Sequence, residues 1–421
     1  MQRPSLRVAI DCTAAIRQGA GIGRYTRELV RALLAGAALS PSADEDEGGQ
    51  GVATCYTLFA ATGGLADAQK RMRDLEPSAD GMQRSTHGVR WRPWPVTDRF
   101  LNILWHRLRL PVPAELLTGG VDVFHSPDFT LPPLARARGL LTVHDLSFLR
   151  CPESAHPAQR AYLAAAVPRS VARADHILAD SQSTKNDLID LLGVPARRIT
   201  VVYPAVEPRF RRVADPATLA RVRGQYRLPE RFVLFVGTLQ PRKNLVRLIE
   251  AFNRVVERNR DGHPPRAETR RLKLVLIGGK GWLYEEIFQT VERLRLEDSV
   301  IFPGYVDDAD LPAVYSLAEL FAFPSLYEGF GLPVLEAMAC GCPAVTSDVS
   351  SLPEAAGEAG LLVPPTDTEA LAEAMRRVLG DDALRTRLIE AGYAQARRFT
   401  WEAAAQQTHA LYLALASGSA S

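Results

Sequence analysis

Two groups of charged residues lie just after apolar, strand-like stretches of the sequence. Arg242 and Lys243 follow one such stretch, and Glu328 and Glu336 follow another that ends at Phe323. Adjacent cations beside a helix start favour a diphosphate, whereas carboxylates accept hydrogen bonds from vicinal hydroxyls. Together the two groups predict a site for a ligand that carries a diphosphate and two polyhydroxylated rings.

Each group also has a simpler interpretation. Glu328 could be a solvated turn residue, Glu336 could favour the dipole of its helix, and arginine–lysine pairs are common on surface turns. The position of both groups after predicted strands favours the ligand site, because open α/β sheets bind ligands beyond the carboxyl ends of their strands. Gly329 and Gly331 support this interpretation, since glycine lets the backbone approach a ligand closely.

We do not expect a metal site. Asp308 and Asp310 have the spacing of a metal-binding pair, but they stand where a predicted helix begins and suit a helix cap and dipole partner. Asp44 and Asp46 fall in residues 40–51, a stretch of low apolar content that predicts a disordered loop. With two cations available for the phosphates, no divalent ion is required.

Short apolar runs alternate with longer amphipathic segments along the chain, which is the pattern of repeated βα units and parallel sheets. The predicted strands of the first half are residues 6–10, 54–59, 121–125, 140–144, 176–179 and 199–202. Those of the second half are residues 232–236, 274–277, 300–302, 320–323, 344–346 and 361–363. The predicted fold class is therefore α/β, with two doubly wound, Rossmann-like parallel-sheet domains that face a central cleft.

The domain boundary is expected where prolines and arginines interrupt the strand rhythm, in residues 204–229. The predicted domains are residues 1–205 and 206–398, and residues 399–421 form a last helix and tail that pack back on the first domain. Residues 259–271 read as a basic, solvated insertion.

Composition narrows the function classes. The 50 basic and 48 acidic residues leave a formal net charge of +2, which lacks the basic excess of a general nucleic-acid binder. The five scattered cysteines fit a reducing compartment, and Cys340 and Cys342 suit small packing residues better than a metal or redox pair. The start of the sequence lacks a signal-peptide pattern, and no apolar run approaches the roughly 18 residues of a membrane span. These features predict a cytoplasmic protein.

The first half offers further candidates at predicted strand ends. His144, with Asp145 beside it, closes the fourth predicted strand; a lone histidine is often structural, but this position favours a ligand contact. Ser181 ends the next strand, where it could line the site or cap a helix.

A glycine-rich loop follows the first predicted strand. It contains Gly21, Gly23 and Arg24 and does not match the dinucleotide-binding pattern.

Residues 90–109 interleave aromatic side chains with arginines. The aromatic positions are Trp91, Trp94, Phe100 and Trp105. This pattern suits an anionic glycolipid or a membrane surface, and it equally suits an amphipathic helix packed on the sheet. Both interpretations stay open from the sequence alone.

The sequence resembles retaining glycosyltransferases of family 4, which have the GT-B fold. The resemblance extends over essentially the whole chain. The resemblance is carried by the Glu-x7-Glu element that begins Glu-Gly-Phe-Gly at Glu328 and by Pro-Arg-Lys-Asn at residues 241–244. Residues 237–244 and 142–146 look most like the mannosyltransferase B-like branch, whose members elongate bacterial surface polysaccharides from GDP-mannose. The family often has an arginine where this chain has Thr238.

The resemblance implies a role for each candidate. Arg242 and Lys243 would hold the donor diphosphate as it leaves, Glu328 would hold sugar hydroxyls and Glu336 the ribose. His144 would contact the donor sugar near the reacting atoms. The remaining donor-binding positions would be Gly237, Thr238, Tyr305, Val306, Gly329, Phe330, Gly331 and Leu332, with Gly21 and Gly23 near the phosphates. Arg24, Asp145 and Ser181 would lie on the acceptor side.

The predicted function is transfer of a hexose, mannose from GDP-mannose, to a hydroxyl of a glycan or lipid-linked acceptor, with retention of configuration and without a cofactor. A UDP-glucose or other UDP-sugar donor is an alternative on the same fold. A catalytically inactive GT-B partner subunit is a further alternative, which the complete set of candidate residues disfavours. We expect no nucleic-acid partner, and contact with the inner face of the membrane remains an option.

Overall fold

The computed structural model describes residues 5–19, 21–39, 53–75, 88–257 and 271–419. The predicted loop 40–51, with Asp44 and Asp46, lies outside the described residues, as does the predicted insertion 259–271 except for its last residue. The chain divides into two compact units. The first comprises Met1–Leu146, Ala158–Pro204 and Thr400–Ser421, and the second comprises Ser147–Pro157 and Ala205–Phe399.

The first unit contains a seven-stranded parallel sheet. Its strands are β1 (Leu6–Asp11), β2 (Thr54–Ala61), β3 (Val89–Trp94), β4 (Val123–Ser126), β5 (Arg138–Val143), β6 (His176–Ala179) and β7 (Ile199–Val201). Their order across the sheet is β3-β2-β1-β4-β5-β6-β7. The strand order reverses direction between β1 and β4, so this sheet is doubly wound.

The second unit contains a six-stranded parallel sheet. Its strands are β8 (Arg231–Val236), β9 (Leu272–Ile277), β10 (Val300–Gly304), β11 (Leu320–Phe323), β12 (Ala344–Ser347) and β13 (Gly360–Val363). Their order is β10-β9-β8-β11-β12-β13, with the reversal between β8 and β11. Strands such as β11 are apolar throughout and buried along their whole length, because helices cover both faces of a parallel sheet.

Helices connect the strands in both units. Those of the first unit are α1 (Thr13–Arg17), α2 (Ile22–Leu39), α3 (Ala68–Arg73), α4 (Asp98–Asn102), α5 (Glu115–Thr118), α7 (Pro157–Arg173), α8 (Gln182–Leu192) and α17 (Trp401–Ser417). Those of the second unit are α6 (Ser147–Arg150), α9 (Pro216–Gln225), α10 (Leu245–Glu257), α11 (Glu285–Arg293), α12 (Leu311–Leu317), α13 (Leu332–Ala339), α14 (Leu352–Ala356), α15 (Thr368–Gly380) and α16 (Asp382–Ala396). The first residue of α7, Pro157, belongs to the second unit.

The last helix, α17, packs within the first unit although its sequence follows the second. Its Tyr412 is fully buried, and the Tyr412 hydroxyl lies 2.7 Å from Nδ1 of His125 at the end of β4. Trp401, at the start of the helix, packs edge to face on Tyr25 of α2. Burial of these aromatic rings ties the end of the chain to the first sheet.

The predicted α/β class with two doubly wound parallel sheets is confirmed, but the prediction of twelve strands omitted β3. This strand runs through Trp91 and Trp94, where an amphipathic helix was one interpretation, so that interpretation is wrong for residues 89–94. Arginine alternates with apolar residues over residues 89–92, which is the two-residue period of a strand. Because β3 lies at the sheet edge, its arginines remain exposed.

Candidate functional site

The second sheet brings Arg242, Lys243 and Glu328 together in what we call the cation–glutamate cluster. The Lys243 Nζ lies 2.5 Å from the Glu328 Oε1, and an Arg242 guanidinium nitrogen lies 2.9 Å from Oε2. The two cations follow β8 and the glutamate follows β11, so the cluster stands where the strand order reverses. Ligands of doubly wound sheets bind at such reversal points.

Hydrogen bonds to backbone carbonyls connect the two loops that form this cluster. The Leu326 amide donates to the Arg242 carbonyl at 2.9 Å. Asn244, in the left-handed region at φ 59°, donates through its side-chain amide to the carbonyls of Pro324 and Pro365. Left-handed backbone is costly for most residues, and asparagine is one of the few that adopt it readily. Asn244 thereby ends the 3-10 turn of the cations and connects it to the glutamate loop.

Burial and charge together make Glu328 a strongly acidic group. Burial of its carboxyl would raise its pKa, but attraction to Arg242 and Lys243 and the hydrogen bond from Lys243 outweigh burial and lower the pKa to about 2. The Lys243 ammonium also lies 4.8 Å from the centre of the Phe323 ring, a cation–π contact. Glu328 is therefore ionised at neutral pH and faces two basic side chains.

Glu336 lies on α13, and its carboxylate accepts a hydrogen bond of 3.0 Å from the Tyr315 hydroxyl of α12. The side chains of Glu336 and Glu328 are both buried, so the alternative that Glu328 is a solvated turn residue is wrong. Gly331, with φ 102°, stands immediately before α13, and Phe330 packs edge to face on Phe399. Leu332 is the first residue of the helix.

The end of β8 makes a close backbone contact with the end of β9. A side-chain carbon on Gly278 would lie only 2.0 Å from the Gly237 carbonyl oxygen, and the φ of Gly278 is 145°. Only glycine fits there. Thr238 is exposed beside this contact, and Tyr305 is also exposed, whereas Val306 is buried.

In the first unit, His144 follows β5 and is held by two oxygen atoms. Its Nδ1 lies 2.7 Å from the Asp180 Oδ2 and its Nε2 lies 3.1 Å from the Pro127 carbonyl oxygen. A carbonyl and a carboxylate both accept, so each ring nitrogen donates a proton when the imidazole is positively charged. Burial would lower the pKa of His144, but attraction and hydrogen bonding from Asp180, with attraction from Asp128, raise it to about 9.

The charged groups around His144 follow neighbouring strands. Asp128 follows β4 and Asp180 follows β6, the two strands that flank β5, and Asp11 ends β1, which lies next to β4. Burial raises the pKa of Asp128 to about 6, although attraction to His144 lowers it. The carboxyl ends of this sheet thus carry a buried imidazolium among carboxyl groups.

The remaining first-unit candidates divide between helix ends and the surface. Ser181 is fully buried and its hydroxyl accepts from the Thr184 amide at 3.0 Å, so it caps α8. Gly21 precedes α2 at φ 56°, and Gly23 and Arg24 lie in the first turn of that helix. Asp145 follows His144 directly and is half-buried.

Four contributing residues were missed by sequence reasoning: Asn244, Gly278, Tyr315 and Asp180. Gly278 had a readable signal, since two glycines follow the apolar run of β9. Asn244 belongs to a quoted motif, but its left-handed backbone has no sequence signal beyond residue type. Tyr315 and Asp180 are recognisable only through their partners, which lie 21 and 36 residues away.

The described parts of the chain contain no group of three or more His, Cys, Asp or Glu side chains able to hold a metal ion. Asp310, a candidate for a metal pair, instead accepts from Arg221 at 2.6 Å and from the Tyr226 hydroxyl at 2.8 Å. Every helix in the described ranges is too short or too polar to cross a bilayer. Cys340 and Cys342 are free, buried thiols whose pKa values burial raises.

Comparison with known proteins identifies the class. A family model described as glycosyl transferases group 1 matches residues 220–395, and one described as glycosyltransferase family 4 matches residues 57–210. The crystal structure of Anabaena HepE in complex with UDP and glucose superposes with a TM-score of 0.68 at 20% identity and covers 97% of this chain and 99% of that one. The two parallel-sheet domains therefore have the GT-B glycosyltransferase fold.

Sequence relatives define the branch. The chain is 38% identical over 288 residues to the O-antigen chain mannosyltransferase B of Escherichia coli, which covers 68% of this chain and 72% of that protein. It is 34% identical over 234 residues to the serotype-specific mannosyltransferase WbdA of Escherichia coli, of which the match spans 27%. The chain belongs to glycosyltransferase family 4, in its mannosyltransferase B-like branch. It is an enzyme, a glycosyltransferase.

Proposed function

We propose that this glycosyltransferase moves mannose from GDP-mannose to a hydroxyl of a glycan or lipid-linked acceptor during synthesis of a bacterial surface polysaccharide. The 38% identity to the O-antigen chain mannosyltransferase B supports mannose and this pathway class. The anomeric configuration is retained. The donor domain is residues 206–398, the acceptor-side domain is residues 1–205, and residues 399–421 complete the latter.

The observation that carries the proposal is the cation–glutamate cluster. Its Lys243 Nζ and Glu328 Oε1 are 2.5 Å apart at the reversal point of the second sheet. A donor diphosphate bound there meets two cations, while its sugar meets a carboxylate that is ionised at any physiological pH. Glu336, on the neighbouring helix, takes the ribose hydroxyls, and the glycine-rich turn around Gly329 supplies backbone amides.

The chemistry proposed for this site is departure of the nucleoside diphosphate with front-face attack by the acceptor hydroxyl. The carbon–oxygen bond to the diphosphate breaks, the acceptor oxygen bonds to the same face of that carbon, and the acceptor proton passes to the leaving phosphate. Arg242 and Lys243 stabilise the negative charge that develops on the leaving oxygen. No metal ion takes part, so turnover persists when EDTA is present.

His144 contributes a positive charge from the first unit. An imidazolium held by Asp180 can donate a hydrogen bond to a donor-sugar hydroxyl or to phosphate oxygen near the reacting carbon. In this proposal Gly21, Gly23 and Arg24 serve the phosphates and acceptor and Asp145 serves the acceptor. Ser181 contributes to the acceptor side only through its cap on α8. The enzyme works in the cytoplasm, where nucleotide sugars are made, and meets a lipid-linked acceptor at the inner membrane face.

A UDP-sugar donor is the second candidate. It is supported by the likeness to Anabaena HepE, a structure that contains UDP and glucose. Groups that bind a diphosphate and a ribose serve either nucleotide. The exposed Tyr305 and the buried Val306, which border the base in our proposal, would decide between guanine and uracil.

A panel of nucleotides decides the donor. Purified protein is heated with GDP, GDP-mannose, UDP or UDP-glucose, since a ligand that binds the folded state raises the midpoint of unfolding. We expect GDP and GDP-mannose to raise it and UDP and UDP-glucose to leave it unchanged. Linkage and anomeric analysis of the product then tests mannose transfer and retention. A shift with UDP-glucose alone contradicts the GDP assignment.

The role of the cluster is tested by Lys243→Ala. Loss of one group that stabilises developing charge lowers kcat by about 100- to 1000-fold. Lys273→Ala is the matched control, because its ammonium is exposed and donates to the Asp298 carbonyl of the same unit. The control should keep wild-type turnover. Near-wild-type turnover of Lys243→Ala would refute the assigned role.

A further inference from the structure

A cavity of about 230 Å³ in the first unit, which we call the arginine pocket, is not used by the proposed reaction. His106, Arg109, Arg169 and Arg173 line it, together with Trp105 and two prolines. Three guanidinium groups border one small space, and none of the lining side chains is acidic. The positive charges of such a cluster repel one another, and a bound anion would offset this repulsion.

One wall of the pocket has an irregular backbone. Residues Ile103–Arg107 form a π-helical turn, and Arg109 follows in the left-handed region at φ 57°. π-helical turns occur often at functional sites, and left-handed backbone is unfavourable for residues other than glycine. The Trp105 indole donates to the Val112 carbonyl at 2.9 Å, which stabilises this conformation. The irregular turn brings Trp105, His106 and Arg109 to the same cavity.

The other wall is helix α7. Arg169 and Arg173 are four residues apart and therefore share one face of the helix, where like charges repel each other. Within the described ranges, no ion pair joins Arg109, Arg169 or Arg173 to an acidic side chain. Burial lowers the pKa of His106 to about 4, with repulsion from Arg173 and Arg169 adding to the effect. His106 is then neutral at pH 7 and can still donate one hydrogen bond.

The segment that supplies His106 and Arg109 also exposes apolar side chains. Phe100, Leu108, Leu110 and Leu116 are 52%, 63%, 41% and 70% exposed. Exposed apolar residues next to a cationic site are typical of a surface that enters the lipid interface. An anion free in solution would give no reason for these four side chains to be exposed.

We propose that the arginine pocket binds the phosphate group of an anionic phospholipid while the neighbouring apolar side chains enter the membrane interface. Guanidinium groups bind phosphate through paired hydrogen bonds, and the indole and proline walls accommodate the glycerol portion. The site fixes which face of the first unit meets the membrane. This inference concerns lipid binding alone and does not depend on the identity of the donor.

The test is cosedimentation with vesicles of phosphatidylcholine, with or without phosphatidylglycerol. The pocket variant is Arg169→Gln with Arg173→Gln, and the matched control is Arg71→Gln with Arg73→Gln, two exposed arginines of α3 in the same unit that lie outside residues 90–109. We expect wild type and control to bind vesicles that contain phosphatidylglycerol. The pocket variant should bind them roughly 30-fold more weakly, since each basic group near an anionic membrane contributes about fivefold.

Equal vesicle binding by the pocket variant and the control overturns the proposal, as does equal binding to pure phosphatidylcholine. If inorganic phosphate raises the unfolding midpoint but the protein does not bind vesicles, the pocket binds free phosphate and the proposal of a lipid phosphate is wrong. If the double variant does not fold, Arg109→Asn removes one charge and keeps a residue type that tolerates left-handed backbone; it should weaken binding about fivefold. The nucleotide-induced thermal shift should persist in each folded variant, which separates failure here from failure of the proposed function.

Discussion

Replacing Glu328 by glutamine should change stability and ligand affinity in opposite directions. The pKa of this carboxyl falls from 4.5 to about 2 on folding, and at 1.36 kcal/mol per pKa unit this is about 3 kcal/mol. Because the folded pKa is the lower one, the contribution is fully present above pH 4.5 and is lost as the pH falls toward 2. Glu328→Gln should therefore lose about 3 kcal/mol at pH 7 and show a flatter acid limb between pH 5 and 2.

The same substitution should tighten the binding of GDP. In the wild type, Glu328 competes with a diphosphate for Arg242 and Lys243, so removal of its charge leaves both cations for the ligand. The 3 kcal/mol above sets an upper limit of about 100-fold, and we expect 10- to 100-fold. The added affinity from the mannose of GDP-mannose should shrink, because an amide replaces the carboxylate that accepts sugar hydroxyls.

Urea unfolding from pH 7 to pH 2 and calorimetric titration with GDP measure the two effects. The matched control is Glu369→Gln, an exposed glutamate that also contacts two arginines, Arg254 and Arg376. It should alter neither GDP affinity nor the acid limb appreciably. The reasoning is wrong if Glu328→Gln keeps wild-type stability at pH 7, or if it binds GDP more weakly than the wild type does.

Two further predictions concern the loops at the strand ends. Asp180→Asn removes the main group that raises the pKa of His144, which is about 9 in the folded protein and 6.5 for the free side chain. The stabilisation by Asp180, which is present below pH 6.5 and is lost as the pH rises through 9, should disappear. The alkaline limb of transfer should move down by at least about one pH unit, as measured by NMR titration of His144 and by pH–rate profiles. Gly278→Ala places a carbon 2.0 Å from the Gly237 oxygen at a φ that alanine avoids, so it should lower the free energy of unfolding in urea by at least about 1–3 kcal/mol. The matched control, Gly279→Ala, meets open space and should leave stability unchanged. Equal effects of the two substitutions would contradict the steric argument.

Much of the fold could be read from the sequence because parallel strands buried on both faces are continuous apolar runs. The predicted strand of residues 176–179 and the predicted strand of residues 320–323 have the same bounds in the structure. The edge strand Val89–Trp94 was missed because one of its faces is solvated and arginine occupies alternate positions. A segment of that kind has the composition of an amphipathic surface, and only its pairing with β2 makes it a strand.

The sequence by itself determined the residue types of the donor site and their positions after strands: a pair of cations, two glutamates with seven residues between them, and glycines among those seven. Local chemistry and βα periodicity suffice for that. Only the tertiary structure decided that Lys243 contacts Glu328, that Asp180 holds His144 and that Gly278 must be glycine. Lys243 and Glu328 are 85 residues apart along the chain, His144 and Asp180 are 36 apart, and Gly237 and Gly278 are 41 apart. Strand order, which is a property of whole-sheet packing, brings each pair into contact.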